Sequence, residues 1–439
     1  MNRFSYTFLI RLLSPALLVW MGLRARRSGG HWGVMSDARF GRYGAHKPLR
    51  QAIWVHAVSL GETRAVQPFV QALLDQGKPV LLTHMTATGR EEGARAFQQA
   101  IQAGQLQQQW LPYDFPGVVK RFFAHYQPKA GVLMEREVWP NLIAASRAAG
   151  TPMFLVSARF SDQSLRQALR LGQVMRQAYR SLHAVYAQTL QDAQRLEQAG
   201  AEAVRVSGNF KFDVALSPSQ IRQGREFAEH LQRKVVVIAS TRDGEEWPFI
   251  QAIYKQEKRR QARGESLADS VLFCIVPRHP QRFNQVADLI AETGLPYLRR
   301  SALAEKGRSL AVVARACQST LILLGDSLGE MPRYYAASNV AIVGGSFEKF
   351  GGQNFIEACA VGIPVIVGPY TRNFQQAVTD AVAEGAALRV SSPEQAIDQA
   401  MGLLKDATTH SRMGEAGLHW VQKHKGAVAR VLTALNKLQ

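Results

Sequence analysis

At 439 residues the chain is too long for one ordinary hydrophobic core, so two domains are expected. Its 46% apolar content excludes a disordered protein, and three widely spaced cysteines in apolar runs exclude a disulfide framework or a zinc site. A formal net charge of +19 requires an anionic partner, for which nucleic acid, anionic lipid and a phosphorylated substrate remain open.

The first segment, residues 1–30, is predicted to be a membrane anchor or an interfacial helix. Phe4 to Leu23 is almost wholly apolar, although Arg11 interrupts it. Twenty helical residues span about 30 Å, which is enough for the apolar core of a bilayer. The three arginines within 24–27 favour the cytoplasmic side for the part of the chain that follows. An amphipathic helix of a protein core is the alternative interpretation.

After that segment, short apolar runs rich in β-branched residues alternate with helical stretches. This alternation is typical of βαβ units and a mainly parallel sheet. Ligands are then expected in a cleft at the carboxyl ends of the strands. The predicted strands cover 53–58, 80–84, 130–134, 152–157, 184–187 and 204–207 in the first half, and 235–239, 271–276, 321–324, 340–343 and 364–367 in the second.

The same pattern predicts the domain boundaries. A first α/β domain is expected over 31–214 and a second over 234–410, with the polar stretch 215–233 as a linker. A long last helix is expected within 411–439, where it is placed to pack back on the first domain.

In the first half, segment 56–63 (HAVSLGET) is a strand end, a turn with glycine and a helix start. Glu62 should therefore lie at the carboxyl edge of the sheet. A helix N-terminus favours the ionised form of this carboxyl group, so Glu62 is a candidate proton acceptor. The alternative is that Glu62 only forms a capping box with Ser59.

Two later strand ends in the first half also carry charged side chains. Segment 134–141 (MEREVWPN) places Glu135 and Glu137 after a buried strand, where carboxylates are costly unless they are paired or used. Segment 207–213 (SGNFKFD) places Lys211 between two phenylalanines. This lysine is positioned to reach a phosphate or a carboxylate, or it simply lies over the aromatic rings.

In the second half, an apolar run over 340–343 breaks into Gly344 and Gly345, and a helix is predicted to open at Asn354. Glycines allow the backbone to approach a ligand closely. A helix N-terminus binds phosphate through its free N–H groups and partial positive charge, and Glu357 is placed to accept hydrogen bonds from a ribose. The alternative is a capping box formed by Asn354 and Glu357 alone.

Two further junctions in the second half support an anion site at the same edge. Pro277 and Arg278 end a buried strand, and the planar guanidinium of Arg278 suits a phosphate. Gly329 and Glu330 stand at another helix start. The sequence has no P-loop, HExxH or GxSxG motif, no metal-ligand spacing of His and Cys, and no nucleic-acid recognition pattern.

Taken in order, these segments make the chain similar to the transferases of 3-deoxy-D-manno-octulosonic acid (Kdo) in lipopolysaccharide synthesis. The resemblance implies the α/β GT-B glycosyltransferase fold, with two Rossmann-like domains facing a cleft and the donor bound mainly by the second. It also implies transfer of Kdo from CMP-Kdo to a lipid A precursor (lipid IVA), on the cytoplasmic side of the bacterial inner membrane. The matching stretches are HAVSLGET, LPYD, MEREVWPN, GNFKFD, STRDGEE, PRHP, GDSLGEMPRYYAASNVAIVGGSF and GGQNFIEA.

By the same resemblance, Glu62 is the general base of an inverting displacement, and Glu135 and Lys211 stabilise the transition state. No metal or other cofactor is expected, because the donor carries a single phosphate. The expected partners are CMP-Kdo, the lipid A precursor and an anionic membrane surface, and not nucleic acid. The implied donor contacts are Pro277, Arg278, Leu328, Gly329, Glu330, Gly344, Gly345, Asn354, Phe355, Ile356 and Glu357.

Two other functions are compatible with these patterns. One is a GT-B glycosyltransferase that uses a nucleoside diphosphate sugar. The other is a non-catalytic basic protein that binds a membrane or nucleic acid.

Overall fold

The computed structural model describes residues 1–28, 32–44, 47–213, 216–303 and 310–438. The chain divides into two compact units. The first unit comprises Met1–Asp213 with His424–Gln439, and the second comprises Val214–Lys423. Each unit contains a seven-stranded sheet whose neighbouring strands are all parallel. The expected pair of Rossmann-like α/β domains is therefore confirmed.

The first sheet has its strands in the order β3-β2-β1-β4-β5-β6-β7, so the chain reverses direction across the sheet between β1 and β4. Most of these strands are continuous apolar runs, as expected for a sheet covered by helices on both faces. The strands are β1 (Ile53–His56), β2 (Val80–His84), β3 (Leu106–Trp110), β4 (Ala130–Met134), β5 (Met153–Ala158), β6 (Ala184–Ala187) and β7 (Val204–Val206).

Nine helices of the described part of the first unit precede the second unit in the chain. They are α1 (Arg3–Ser28), α2 (Leu60–Asp75), α3 (Ala87–Ala96), α4 (Gln98–Gln102), α5 (Pro116–Tyr126), α6 (Pro140–Ala148), α7 (Asp162–Leu171), α8 (Gln173–Arg180) and α9 (Leu190–Gln198).

The second sheet has the order β10-β11-β9-β8-β12-β13-β14, with the reversal between β8 and β12. Its strands are β8 (Lys234–Thr241), β9 (Val271–Pro277), β10 (Tyr297–Arg299), β11 (Ile322–Leu324), β12 (Val340–Val343), β13 (Val365–Val367) and β14 (Ala387–Arg389). Its helices are α10 (Pro218–Leu231), α11 (Glu246–Gln261), α12 (Phe283–Ala291), α13 (Leu310–Ala316), α14 (Met331–Ala337), α15 (Ile356–Val361), α16 (Gln375–Ala383), α17 (Pro393–Leu403) and α18 (Ala407–His424).

The structure differs from the expected linker and last helix. Stretch 215–233 contains helix α10, which buries Phe227 and Leu231 within the second unit. The prediction of a linker was wrong because most side chains of this helix are polar. The predicted last helix is two helices, α18 and α19 (Ala427–Asn436), because Gly426 adopts φ 92° between them. Helix α19 belongs to the first unit, where it packs against α2.

Helix α1 is long and apolar enough to cross a membrane, judged by its length and composition alone. No part of its most apolar stretch is buried inside the protein. The alternative of a core helix is therefore wrong, and an apolar helix compatible with membrane association is present at the start of the chain.

Candidate active site

Glu62 lies in the first turn of α2, directly after the carboxyl end of β1. Its carboxylate accepts a hydrogen bond from the backbone N–H of Val58 at 2.8 Å and one from the Ser59 hydroxyl at 3.3 Å. The side chain of Ser59 in turn caps the helix by accepting from the N–H of Glu62 at 3.5 Å. The capping box considered from the sequence is thus present in a modified form, in which Glu62 accepts the N–H of Val58 and not that of Ser59, and it fixes the carboxylate at the carboxyl edge of the sheet.

The surroundings of Glu62 change its acidity. Burial raises the pKa of this carboxyl to about 8, and the negative charge of Glu135, with a smaller effect of Glu137, adds to that rise. The hydrogen bonds from Val58 and Ser59 oppose it. A carboxyl with such a pKa exchanges its proton near neutral pH, which is the property a general base requires.

Glu135 directly follows β4, the neighbour of β1 at the point where the strand order reverses. Ligands of open α/β sheets bind outside the carboxyl ends of strands at such a reversal. The backbone of Glu135 has φ 53°, a left-handed conformation that is uncommon for a residue with a side chain. Strained backbone of this kind clusters at functional sites, where the surrounding structure holds it.

Lys211 approaches Glu135 from a different segment of the chain. Its Nζ lies 3.5 Å from the Glu135 Oε1, and both side chains are about a quarter exposed (21% and 26%). The ion pair explains how Glu135 is tolerated at a strand end. The structure therefore brings the three predicted catalytic residues, Glu62, Glu135 and Lys211, to one region of the first unit.

A polar network behind Lys211 was not predicted from the sequence. The Asn209 side chain accepts hydrogen bonds from the Lys211 N–H at 2.9 Å and from the Ser157 hydroxyl at 3.2 Å. It also donates to the Gln188 side chain at 3.1 Å. Ser157 has φ 50° at a register shift between β5 and β6, and this directs its hydroxyl toward Asn209. The network fixes the turn that carries Lys211.

Asp213, at the end of the same segment, holds helix α19. Its carboxylate accepts the backbone N–H groups of Gly426 at 2.6 Å and Val428 at 2.7 Å. A carboxylate at a helix N-terminus satisfies donors that have no partner within the helix. The last helix is thereby fastened next to the Lys211 turn.

In the second unit, the glycine segment follows β12, which pairs with β8 at the reversal of strand order. The N–H of Gly344 donates to the Ala239 carbonyl at 2.7 Å, and that of Gly345 donates to the Glu245 carboxylate at 2.7 Å. A Cβ at Gly344 would lie 2.7 Å from Thr241 Cα. Both glycines are needed because the protein itself approaches closely, and their N–H groups are committed within the loop.

Glu245 is the residue that shapes this loop, and the sequence reasoning missed it. Its fully buried carboxylate accepts N–H groups of Gly345, Phe347, Glu348 and Arg242, at 2.7, 2.8, 3.3 and 2.8 Å. Burial raises the pKa of Glu245, and these four hydrogen bonds oppose the rise. The carboxylate ties the turn after β8 to the loop after β12.

The helix after that loop begins later and is more buried than expected. Helix α15 begins at Ile356, two residues later than predicted, and Asn354 donates to the Glu357 carboxylate at 2.9 Å. Phe355 and Ile356 are fully buried, and the Phe355 ring stacks on Trp420. The side chains of Phe355 and Ile356 therefore serve the core, and Asn354 and Glu357 are the accessible pair.

Positive charge collects at the same edge. Burial lowers the pKa of His279, and the charges of Arg242 and Arg278 lower it further, so both guanidinium groups lie near this imidazole. Arg278 follows Pro277 at the end of β9, as predicted. Burial raises the pKa of Tyr335, the charge of Glu357 adds to that rise, and the charge of Arg278 opposes it. Arg242, after β8, was not singled out from the sequence.

The remaining predicted contacts precede α14. Leu328 is 64% exposed, and Gly329 has φ 79° in the turn. The Glu330 carboxylate pairs with Arg300 at 3.1 Å and with Arg333. These residues all lie at the carboxyl edge of the second sheet. Among the described residues, no three His, Cys, Asp or Glu side chains are grouped to hold a metal ion.

Comparison with known proteins adds a family. The profile of a family described as 3-Deoxy-D-manno-octulosonic-acid transferase (kdotransferase) matches residues 35–214. A second profile, described as Glycosyl transferases group 1, matches residues 314–420. The two profiles fall on the two units of the structure.

Two relatives match the chain over almost its whole length. The 3-deoxy-D-manno-octulosonic acid transferase of Bordetella pertussis is 54% identical over 438 residues, 99% of this chain and 99% of the relative. The protein of the same name from Haemophilus influenzae is 31% identical over 99% of this chain and 98% of its own. A solved glycosyltransferase structure from Rickettsia africae covers 88% of this chain and 98% of its own, with a TM-score of 0.53 at 14% identity, and shares the fold.

Proposed function

The chain belongs to the family of 3-deoxy-D-manno-octulosonic acid (Kdo) transferases and has the GT-B glycosyltransferase fold, and on this premise we propose the course of its reaction. Kdo moves from CMP-Kdo to a sugar hydroxyl of a lipid A precursor, lipid IVA, by a single displacement with inversion. Glu62 acts as the general base. The observation that carries this proposal is the position of Glu62 beside the Glu135–Lys211 pair, with its pKa raised to about 8.

In the proposed reaction, Glu62 removes the proton of the acceptor hydroxyl as its oxygen attacks C2 of Kdo. A bond forms between that oxygen and C2, and the bond between C2 and the phosphate oxygen of CMP breaks. CMP leaves as an anion with the electron pair of the broken bond. A single base is sufficient because the leaving phosphate needs stabilisation of charge more than it needs a proton.

Lys211 is proposed to supply positive charge to the negatively charged donor in the transition state. Its position depends on Glu135, since the two side chains form an ion pair. Glu135 has a second effect, because its charge adds to the rise that burial causes in the pKa of Glu62. Electrostatic preorganisation of this kind is usually the largest single contribution to catalysis.

The second unit is proposed to bind CMP-Kdo at the carboxyl edge of its sheet. The cluster of Arg242, Arg278 and His279 suits the phosphate and carboxylate groups of the donor. Asn354 and Glu357 offer hydrogen bonds to sugar hydroxyls. Pro277 and the turn over 328–330 complete the proposed donor contacts. Gly344 and Gly345 contribute by shaping the loop, and Phe355 and Ile356 by packing beneath it.

We also propose that the enzyme acts at the cytoplasmic face of the bacterial inner membrane. The exposed apolar helix α1 supplies the attachment, and the net charge of +19 suits a surface of anionic lipids and phosphorylated acceptors. Each basic residue near such a surface contributes about 1 kcal/mol. A metal or other cofactor is not expected in the reaction.

The test is a reaction of the purified full-length protein with CMP-Kdo and a tetraacyl lipid A precursor, in the presence of EDTA. Product mass should increase by one or more Kdo units, and CMP should appear in the same amount. UDP should compete with CMP-Kdo much less well than CMP does. Absence of transfer with a competent acceptor would contradict the proposed donor and acceptor, and loss of transfer only with EDTA would contradict the metal independence.

A further inference from the structure

The exposure of side chains along α1 follows a helical period. The half-buried residues recur every three to four positions, and the positions between them are exposed. One face of the helix is therefore less exposed than the other, and the helices of the first unit that pack against α1 are α6 and α8. The half-buried positions are Tyr6, Thr7, Ile10, Ser14, Leu18, Met21, Gly22 and Ala25.

The amino end of α1 is fastened to the first unit by side-chain hydrogen bonds. The Tyr6 hydroxyl donates to the Asp114 carboxylate at 3.0 Å, and the Thr7 hydroxyl donates to the Asn141 side chain at 3.1 Å. Asp114 is buried, and it also accepts the N–H groups of Asn141 at 3.2 Å and Leu142 at 2.7 Å at the start of α6. The Tyr6 hydroxyl is thus one of the donors that satisfy the buried carboxylate of Asp114.

The carboxyl end of α1 is close to the same unit. The helix has 26 residues and is about 39 Å long. Only three residues separate Ser28 from Trp32, whose carbonyl accepts a hydrogen bond from the buried Arg39 at 3.1 Å. A helix whose two ends both return to one unit lies along the surface of that unit.

The outer face of α1 is apolar and is not covered by any of the residues that the structure describes. Arg11 is exposed in the middle of the helix, where a charge is costly at the centre of a bilayer but is tolerated at the interface. The Arg24 guanidinium lies over the Trp20 ring at 5.2 Å, a cation beside an amphipathic ring as found at membrane surfaces. The exposed apolar residues are Phe4, Phe8, Leu9, Leu12, Leu13, Leu17, Val19, Trp20 and Leu23.

We propose that α1 lies in the plane of the membrane interface and does not cross the bilayer. Its outer face enters the lipid, and both of its ends stay on the side of the catalytic units. A spanning helix would carry Tyr6 and Thr7 to the opposite side and remove the Tyr6 hydroxyl from the donors of the buried Asp114. The inference rests on the proposed membrane association, and it adds that the helix holds the first unit in a fixed orientation to the surface.

The test is the labelling of Asn2→Cys in full-length protein with a membrane-impermeant maleimide. Asn2 is exposed directly before α1, outside the apolar face, and the substitution leaves the charge unchanged. The native cysteines are buried, so the unsubstituted protein gives the background. Gln99→Cys, exposed on α4, marks the side of the catalytic units. Inside-out vesicles and intact spheroplasts are compared, after membrane fractionation and a transferase assay of each variant.

The proposal predicts that Asn2→Cys and Gln99→Cys are both labelled in inside-out vesicles, and that neither exceeds background in spheroplasts. Labelling of Asn2→Cys in spheroplasts, or in neither preparation, would overturn it. Recovery of the protein in the soluble fraction would overturn it as well, by removing the membrane association on which it rests. Because transfer is assayed separately, loss of the proposed reaction is distinguishable from each of these results.

Discussion

The Oε1 of Glu135 and the Nζ of Lys211 lie 3.5 Å apart, although one follows β4 and the other lies in the turn after β7. Each was predicted from its own strand end. Glu135 has two effects on the site, since it holds Lys211 and its charge adds to the rise that burial causes in the pKa of Glu62. The predictions below follow from this coupling and from the loops that surround it.

The rate of transfer should depend on the ionisation of Glu62. A base must be deprotonated to act, and its pKa is about 8, so kcat/KM should rise with pH and level off above about pH 8. Glu135→Gln removes a charge that raises this pKa, so the rise should move to lower pH even though the maximal rate falls. The measurement is kcat/KM from pH 5.5 to 9.5 for both proteins. A rise at the same pH in both would show that Glu135 does not act on the base.

The free energy of unfolding should depend on pH through the ionisation of Glu62. The folded-state pKa, about 8, lies above the ordinary value of 4.5, so the folded state binds this proton more tightly than the unfolded state does. That contribution to stability is complete below the ordinary value and is lost as the pH rises to about 8. Glu62→Gln removes the loss, and Tm relative to the unsubstituted protein should be higher at pH 9 than at pH 5. An equal difference in Tm at both pH values would contradict the raised pKa.

Asn209 should be a positioning residue for Lys211. Asn209→Ala removes an acceptor of the Lys211 N–H and of the Ser157 hydroxyl, and a misplacement of about 1 Å lowers the rate roughly 10²-fold. Asn209→Asp keeps the acceptor oxygen, loses the donor to Gln188 and adds a negative charge, so it should recover only part of kcat. KM for CMP-Kdo should change little in either variant. Equal losses in both, or a loss confined to Tm, would indicate a purely structural residue.

Glu245 should determine the shape of the donor loop. Glu245→Gln replaces one accepting oxygen by an NH₂ group that faces backbone N–H donors, and each buried donor left unsatisfied costs about 1–3 kcal/mol. We expect a higher KM for CMP-Kdo and a weaker affinity for CMP. Glu348→Gln, an exposed side chain in the same loop, is the matched control. Calorimetry with CMP measures both, and an unchanged affinity in Glu245→Gln would contradict this role.

The fold was predictable to the extent that its strands are buried and apolar. Strands such as β2, β4 and β12 were predicted with their observed bounds. The missed strands are β3, β10 and β14, which lie at the edges of the two sheets. The sequence of β3, LQQQW, is too polar for a periodic signal, and β10 and β14, with three residues each, are too short for one. Helix α10 was missed because only a narrow stripe of it, including Phe227 and Leu231, is buried.

The site was predictable where a charged residue directly follows a buried strand, as Glu135 and Arg278 do, or opens the helix after one, as Glu62 does. Residues that act through tertiary contacts gave no local signal. Asn209 and Glu245 accept hydrogen bonds from distant segments, and this depends on strand order. The glycines at 344 and 345 were interpreted as room for a ligand, whereas the structure uses their close approach within the protein.

The most direct test of the central claim is the single-turnover rate of Glu62→Gln beside its affinity for CMP. Glutamine fits the capping box with Ser59 but cannot accept the proton of the acceptor hydroxyl. Transfer should fall by about 10²–10⁴-fold, as for loss of a general base, while CMP binds as tightly as before. Ser59→Ala, which weakens the cap and keeps the carboxylate, should retain most of the rate. Transfer by Glu62→Gln within a few-fold of the unsubstituted protein would contradict the assignment of Glu62 as the base.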